Sequence, residues 1–256
     1  MTFSSSPAHI VIVGATSVIA EHCVRHWIVD LPARVSLVGR DASRLGRLAD
    51  DLRVRSPGTR IELHELTQFT DPDAIESLVQ QITNVAPVTI ALIAHGTLPD
   101  QATCETDPKA RAEALLTNGV SPALFAEAFA RRMEAAGHGT VVAIGSVAGD
   151  RGRAGNYLYG AGKALLARQM EGLQHRLALR RTPVRAVLVK PGPTDTPMTA
   201  HLKTKGVRLA SSEAVAARIV RAVARGSPVV YAPGRWRWIM GVIRHLPRFI
   251  FNRLDI

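Results

Sequence analysis

Short apolar runs alternate with segments of helical period along the whole chain. Seven of these runs predict buried strands: His9–Val13, Arg34–Val38, Arg60–Leu63, Val88–Ala94, Thr140–Ile144, Val184–Val189 and Val229–Tyr231. Apolar residues three or four positions apart predict helices between them, among which are Ile19–Ile28, Ala74–Ile82, Lys109–Met133 and Glu213–Ala224. Strands and helices that alternate at this spacing are typical of parallel βαβ units. We therefore predict a single α/β domain over residues 1–256, with a doubly wound parallel sheet of about seven strands and helices on both faces.

The composition narrows the class of protein. A chain of 256 residues, 46% of them hydrophobic, can form one domain with a two-sided core. The two cysteines, Cys23 and Cys104, provide neither a disulfide framework nor the spacing of metal ligands. The first residues lack a basic region followed by a long apolar run, and no apolar run approaches the ~20 residues of a spanning helix. We expect a cytoplasmic protein without a metal, in a reducing compartment, that is soluble or peripheral on the inner face of the cell membrane.

Positive charge is concentrated at the carboxy-terminal end. The formal net charge of the chain is +11, and residues 201–256 contain eleven Lys or Arg residues against two acids. Such a basic end indicates an anionic partner: nucleic acid, a phosphate-bearing substrate or a membrane surface. No nucleic-acid-binding module accompanies the charge, so we do not expect nucleic acid.

The residues after the fifth predicted strand indicate acid–base chemistry. Ser146 lies at the end of that strand, and Tyr159 and Lys163 follow four residues apart in a helical segment. Four residues are about one helical turn, so the phenol and the ammonium share a face. The cation is expected to lower the pKa of the phenol from about 10 toward neutrality, and the serine can hold a carbonyl oxygen beside it. Such a site can add a proton to a carbonyl oxygen, or remove one, while a hydride is transferred to or from the carbonyl carbon. The alternative is that a surface tyrosine and lysine are four residues apart by chance.

A glycine turn between the first predicted strand and the next helix predicts a phosphate loop. Gly14 lets the backbone approach a pyrophosphate, and the helix start supplies N–H donors, with Thr16, Ser17 and Ile19 as the expected contacts. A simple tight turn is the alternative. The second strand ends at Gly39, the position where an acid would bind the adenosine ribose, and Arg40 follows it. A cation there favours a 2′-phosphate, so we predict NADP(H), with NAD(H) as the alternative cofactor and a solvated loop charge as the other interpretation of Arg40.

Together with Asn118, an asparagine inside a long helix, these residues resemble the short-chain dehydrogenase/reductase family along nearly the whole chain. The resemblance implies a Rossmann-type fold and an NAD(P)-dependent enzyme that interconverts C=O and CH–OH. It implies that Tyr159 donates the proton and that Lys163 also binds the cofactor ribose. In the same pattern Ser146 orients the carbonyl, and Asn118 holds a water of the proton relay.

The resemblance also assigns further cofactor contacts by their places in the family pattern. They are Glu65 and Leu66 beside the adenine, Ala94 and Gly96 beside a ribose, Pro191, Gly192, Thr194 and Thr196 around the nicotinamide, and Tyr159 and Lys163. An ordinary strand end is the alternative for Glu65 and Leu66. The chain departs from the pattern where Val18 and Ala20 replace glycines of the phosphate loop. It departs again at Ala-His-Gly, where His95 lies near the cofactor cleft and is not assigned as a base.

Two late segments bear on the substrate. Residues 199–212 are polar and basic, and they occupy the usual place of a substrate lid. Residues 233–256 form a basic aromatic tail, in which five arginines alternate with tryptophan, phenylalanine and aliphatic residues. An interfacial helix on anionic lipid fits this composition, and a contact between subunits of a homo-oligomer is the alternative.

The segment from Met198 to Lys203 and the tail resemble those of family members that reduce a keto-sugar joined to a polyprenyl phosphate. That resemblance implies a lipid-linked phosphosugar as substrate, in the formation of a cell-wall polysaccharide. It also implies a flavin-dependent oxidase partner that makes the keto-sugar. The alternatives are a soluble ketone or alcohol oxidoreductase of unrelated substrate and a cofactor-binding scaffold without catalysis.

Overall fold

One parallel sheet organises the chain. The computed structural model describes residues 8–29, 33–204 and 206–254, so residue 205 of the predicted lid and residues 255–256 of the tail lie outside the described residues, as do residues 1–7 and 30–32. The strands in the described ranges are β1 (His9–Val13), β2 (Arg34–Gly39), β3 (Arg60–Glu65), β4 (Ile90–Ile93), β5 (Thr140–Ile144), β6 (Arg185–Pro191) and β7 (Val229–Ala232). Their order is β3-β2-β1-β4-β5-β6-β7, and all neighbouring pairs are parallel. The predicted α/β fold with about seven parallel strands is confirmed.

Helices cover both faces of the sheet. The α-helices in the described ranges are α1 (Val18–Trp27), α2 (Ala42–Arg55), α3 (Pro72–Val85), α4 (Gln101–Thr106), α5 (Pro108–Leu115), α6 (Ser121–Ala136), α7 (Tyr157–Leu179), α8 (Ala200–Thr204), α9 (Ser212–Arg225), α10 (Trp236–His245) and α11 (Arg248–Phe251), of which six pack on the sheet. Ile10 and Ile12 of β1 pack in one core with α1, α2 and α9. Val11 and Val13 pack in the other core with α3, α6 and α7. Because both faces are covered, β1 is apolar at consecutive positions rather than at alternate ones.

The predicted helix Lys109–Met133 is interrupted. The structure has α5, a single π-helical turn at Leu116–Val120, and then α6. Pro122 stands at the start of α6, where it lacks an N–H and its ring crowds the carbonyl of the residue four positions earlier, Asn118. The wider turn accommodates this conflict and opens the helix at Asn118.

The predicted tail is folded back onto the domain. Arg151 donates a hydrogen bond to the Leu246 carbonyl at 2.7 Å and a second one to the Ile243 carbonyl. Its guanidinium also lies 3.7 Å from the centre of the Phe251 ring. Arg151 therefore fixes the tail to the segment that follows Ser146. No helix in the part of the chain that the structure describes is long and apolar enough to cross a membrane.

Candidate active site

A cavity of about 790 Å³ lies at the carboxyl ends of the strands. Residues that follow β1, β2, β4, β5 and β6 line it, around the point between β1 and β4 where the strand order changes direction. Parallel strands bring their carboxyl ends to one edge of the sheet, so residues that are distant in sequence meet there. This edge is where an open α/β sheet binds its ligands.

The turn after β1 presents bare backbone to the cavity. Gly14 has a φ of +78°, and a Cβ at this position would lie 2.6 Å from the backbone nitrogen of His95. Ser17 precedes α1, and its side chain makes no capping hydrogen bond with that helix. The N–H groups of the first turn of α1 therefore remain available for an anion, as a phosphate loop requires.

Two arginines line the cavity beyond β2. Arg40 directly follows the strand, as the sequence indicates, and Arg44 lies in the first turn of α2. Asp41 caps α2 by accepting from the Arg44 backbone N–H at 2.9 Å, and the Arg44 guanidinium donates to the Thr16 carbonyl at 3.3 Å. The sequence analysis missed Arg44. The N-cap aspartate, three residues before this arginine, is the sequence signal that predicts Arg44 in the first turn of the helix beside the cavity.

β5 and α7 bring three predicted catalytic side chains to one side of the cavity. Ser146 lies two residues beyond β5, and its side chain is hydrogen bonded to Tyr159. Lys163 lies one turn after Tyr159, with its Nζ 5.9 Å from the centre of the tyrosine ring. The buried ammonium donates to the Ile144 carbonyl at 2.9 Å, which ties α7 to the end of β5. A hydroxyl, a phenol and an ammonium thus converge at the cavity wall.

Burial decides the protonation of the phenol and the ammonium. It raises the pKa of Tyr159, and the hydrogen bond with Ser146 opposes that rise. Burial also lowers the pKa of Lys163 to about 8. The expected net lowering of the Tyr159 pKa toward neutrality is therefore wrong in this structure, because desolvation of the phenolate outweighs the hydrogen bond with Ser146. A phenol that stays protonated at neutral pH is the form that can give a proton to oxygen.

Asn118 joins the π-helical turn to the loop after β4. The side chain is fully buried, and its Oδ1 accepts from the Thr97 backbone N–H at 3.0 Å. Its Nδ2 donates to the Ala114 carbonyl at 2.9 Å, one turn earlier in the helix. Both halves of the amide are therefore used to hold backbone in place. Thr97 lines the cavity, and the sequence analysis did not identify it.

His95 is a packed histidine and not a base. Its Nε2 is hydrogen bonded to the Ser121 hydroxyl at 2.8 Å, and the Ser121 hydroxyl donates to the Phe69 carbonyl. The rings of Phe69 and Phe125 lie 4.9 and 5.5 Å from the imidazole. Burial lowers the pKa of His95 to about 3, and the nearby cations Lys163 and Arg40 add to this. The imidazole is therefore neutral at physiological pH, and its ring is held by packing and by the hydrogen bond with Ser121.

The loop after β6 forms another wall of the active-site cavity. Gly192 donates its backbone N–H to the Ala232 carbonyl at 3.0 Å. A Cβ at Gly192 would lie 1.9 Å from the Trp236 Nε1, so α10 of the tail packs directly on this loop. The buried Thr194 donates to the Gly192 carbonyl at 2.9 Å, which turns the chain back toward the cavity.

The predicted lid contributes little to the cavity. Thr196, Pro197 and Met198, which line the cavity, precede the predicted lid. Of the described residues of 199–212, Thr199 alone lines the cavity. An ion pair of 2.9 Å between Lys203 and Asp195 holds α8 against the loop that precedes it. Closure of residues 199–212 over a substrate stays a prediction.

The structure brings most of the predicted site residues together. Those that line the cavity are Gly14, Thr16, Ser17, Ile19, Arg40, Ala94, Gly96, Asn118, Ser146, Tyr159, Lys163, Pro191, Gly192, Thr194 and Thr196. Glu65 and Leu66 do not line it. Glu65 is exposed at the end of β3, and Leu66 packs on the core while its N–H donates to the Gly39 carbonyl. The chain reaches the cavity just beyond them, at Thr67, Phe69 and Thr70.

The residues present fit a dinucleotide. Gly14 lines the cavity, where its positive φ and the close His95 backbone leave no place for a Cβ, and the start of α1 offers N–H groups to a pyrophosphate. Arg40 and Arg44 lie at the end of the cavity nearest β2, whereas Tyr159 and Lys163 lie on α7. A cavity of about 790 Å³ lies within the range of small-molecule sites.

Comparisons with known proteins agree with this geometry. Residues 8–206 match the short chain dehydrogenase family. An uncharacterized oxidoreductase in the mprA 5′ region of Streptomyces coelicolor is 30% identical over 254 residues, 99% of this chain and 98% of that protein. An uncharacterized oxidoreductase of Mycobacterium tuberculosis is 32% identical over 251 residues, 96% of this chain and 97% of that protein.

Solved structures share the fold. A short chain dehydrogenase from Burkholderia cenocepacia in complex with NADP has a TM-score of 0.81 at 18% identity, with 99% of this chain and 100% of that chain covered. A short-chain dehydrogenase from Sphingobium yanoikuyae in complex with NADPH has a TM-score of 0.78 at 22% identity, with 94% and 97% covered. The chain belongs to the short-chain dehydrogenase family, and the predictions of a Rossmann-type fold and of an NAD(P)-dependent oxidoreductase are confirmed.

Proposed function

We propose that the chain is an NADPH-dependent carbonyl reductase that acts on a keto-sugar joined to a polyprenyl phosphate. The convergence of Ser146, Tyr159 and Lys163 on one side of a dinucleotide-sized cavity is the observation that supports a reductase most strongly. The resemblance of Met198–Lys203 and of the tail to decaprenylphosphoryl-2-keto-ribose reductase supports the substrate class.

The proposed mechanism assigns one task to each side chain. The nicotinamide, when bound, supplies the hydride that adds to the ketone carbon. Ser146 holds the ketone oxygen by a hydrogen bond, and Tyr159 gives that oxygen its proton. The pKa of Tyr159 is raised, so the phenol keeps its proton until the oxygen takes up negative charge. Lys163 is a cation below about pH 8 and stabilises the phenolate that remains until solvent returns a proton. Asn118 holds the loop at Thr97 in position for this exchange.

Arg40 and Arg44 support NADPH over NADH. The double variant Arg40→Gln/Arg44→Gln is expected to raise the KM for NADPH by about 10- to 100-fold and to leave the KM for NADH nearly unchanged. The reason is that guanidinium groups at this end of the cavity can pair with a 2′-phosphate, which NADH lacks. Steady-state kinetics with both nucleotides measure the effect. Arg53→Gln, which changes an exposed arginine later in α2, is the control. An equal rise in both KM values would contradict the assignment.

The surface of the tail supports a lipid-linked substrate. Trp238, Val242 and Phe249 are 77%, 65% and 68% exposed, although such side chains are usually buried. Arg237 and Arg248, which adjoin Trp238 and Phe249 in sequence, are also exposed, so the tail exposes both apolar and cationic groups. This combination is typical of helices that lie on anionic lipid. We propose that the tail brings the site to a membrane surface where a polyprenyl phosphate resides.

Turnover of two substrates tests this proposal. A polyprenyl-phosphoryl 2-keto-pentose in anionic vesicles is expected to give a kcat/KM at least about tenfold above that of the water-soluble keto-pentose, because part of the binding energy comes from the lipid. Trp238→Ser/Phe249→Ser is expected to remove most of this advantage and to leave turnover of the soluble ketone unchanged, while Val54→Ser, an exposed apolar residue on α2, serves as control. Equal turnover of both substrates would favour the soluble ketone reductase. Cofactor binding without any turnover would favour the silent scaffold.

Further parts of the proposal follow from the substrate. A flavin-dependent oxidase that produces the keto-sugar is the partner that such a reduction requires. A cytoplasmic location on the inner face of the membrane would give access to NADPH and to the lipid. We retain the homo-oligomer and the single domain over residues 1–256 as predictions.

A further inference from the structure

A second cavity, which we call the β7-edge cleft, lies between α7, α9, α10 and the edge strand β7. It has a volume of about 890 Å³ and shares no lining residue with the active-site cavity. Its cationic lining residues are Arg168, Lys190, Arg218, Arg221, Arg225, Arg237 and Arg244, and its acidic ones are Asp150 and Glu171. The proposed reduction uses none of these side chains.

The two acids of the cleft are already paired. Asp150 accepts hydrogen bonds from the Lys190 ammonium and, at 2.8 Å, from the Tyr231 hydroxyl. This group is largely buried, with side-chain exposures of 3% for Asp150 and 11% for Lys190. Glu171 forms an ion pair with Arg168, and both of these side chains are exposed. Neither carboxylate is therefore available to balance the remaining arginines.

The remaining five arginines lie on two helices that both line the cleft. Arg218, Arg221 and Arg225 are spaced three and four residues apart on α9, so they share one face. Arg237 and Arg244 occupy one face of α10, and Gly241 between them leaves that face open. Arg218 is oriented by a hydrogen bond of 2.6 Å from its Nε to the Tyr231 carbonyl.

These guanidinium groups lack anionic partners among the residues that the structure describes. None of the five forms an ion pair in residues 8–29, 33–204 and 206–254. Like charges that converge in a concave site repel each other and focus a positive potential there. All five residues are exposed, so an anion that enters the cleft can reach them and reduce this repulsion.

We propose that the β7-edge cleft binds a phosphate- or pyrophosphate-bearing ligand. Guanidinium groups present planar pairs of donors that match phosphate oxygens, and several of them converge here. A second copy of the chain is a poorer match, because a two-fold interface at this edge would bring a second set of the same arginines to it, and like charges repel. The phosphate belongs either to a free solute or to a lipid headgroup, since the apolar surface of α10 adjoins the cleft.

Binding to the full chain tests the proposal. Titration calorimetry with inorganic pyrophosphate is performed at low ionic strength and with saturating NADP⁺, which occupies the other phosphate-binding cavity. Sedimentation with phosphatidylglycerol vesicles, against phosphatidylcholine vesicles, tests the lipid source. Arg221→Gln/Arg225→Gln is expected to weaken binding at least about tenfold, because two charge-assisted contacts are lost. Arg53→Gln/Arg131→Gln removes the same charge from exposed helix positions outside both cavities and is expected to change binding less than twofold.

The outcomes separate the two sources and can overturn the site. A selective loss with pyrophosphate alone assigns a free solute, and a selective loss with anionic vesicles alone assigns a lipid headgroup. Equal losses in the two double variants would show that overall charge, and not the cleft, binds the anion. Failure of both probes to bind the wild-type chain would also overturn the proposal. Sedimentation equilibrium provides a third check. If Arg221→Gln/Arg225→Gln strengthened self-association, the cleft would be an interface between copies, and the proposal would be overturned.

Discussion

Replacement of Tyr159 by phenylalanine is expected to lower kcat for carbonyl reduction by about 10²- to 10⁴-fold. The phenyl ring keeps the packing on α7, so the variant loses the proton donor and the hydrogen bond with Ser146 but not the shape of the site. The loss corresponds to about 2.7–5.5 kcal/mol of transition-state stabilisation. Single-turnover oxidation of NADPH measures it, and fluorescence titration checks that the cofactor still binds.

Tyr157 offers a matched control for this experiment. It lies on the same helix two residues earlier, is 43% exposed and does not line the cavity. Tyr157→Phe is expected to retain the wild-type rate. If Tyr159→Phe also turned over at a rate near that of the wild type, Tyr159 would not be the proton donor, and the mechanism would need another acid.

The pH dependence of reduction is expected to follow Lys163. Burial lowers the pKa of this ammonium to about 8, so it is charged below that pH and becomes neutral as the pH rises through it. The neutral amine can no longer stabilise the tyrosinate, and kcat/KM should fall about tenfold per pH unit on the alkaline limb. Lys163→Met is expected to lower kcat by about 10²-fold at pH 7 and to abolish this limb.

A pH profile of kcat/KM from 6 to 10 decides this prediction. Lys203→Met, which removes an exposed ammonium on α8, provides the comparison and should keep the wild-type profile. A wild-type profile that stays flat up to pH 10, or a limb that persists in Lys163→Met, would contradict the role of Lys163.

Local patterns in the sequence determine the strands because buried parallel strands are apolar throughout. The predicted run Thr140–Ile144 coincides with β5, and the predicted Val88–Ala94 contains β4. The helix over Lys109–Met133 was predicted as a single element. The conflict between Asn118 and Pro122 is local and visible in the sequence, but its resolution as a π-helical turn depends on the backbone path.

The positions of the proposed catalytic residues can also be predicted from short sequence patterns. Ser146 follows an apolar run, and Tyr159 and Lys163 are one helical turn apart, so spacing alone places them near a strand end. Glu65 and Leu66 were assigned by resemblance, and they do not line the cavity. The chain enters the cavity one or more residues later, and only the tertiary path of the loop decides which residue arrives there.

By itself, the sequence determined the fold class, the family and the order of the catalytic residues, because these depend on periodicity and on short spacings. Tertiary structure decided what depends on contacts between distant segments. Burial set the direction of the pKa of Tyr159 against the expectation, and packing brought Thr97 into the cavity wall. It also brought the arginines of α9 and α10 into the β7-edge cleft, since charges on two separate helices form one site only when the fold places them around the same cavity.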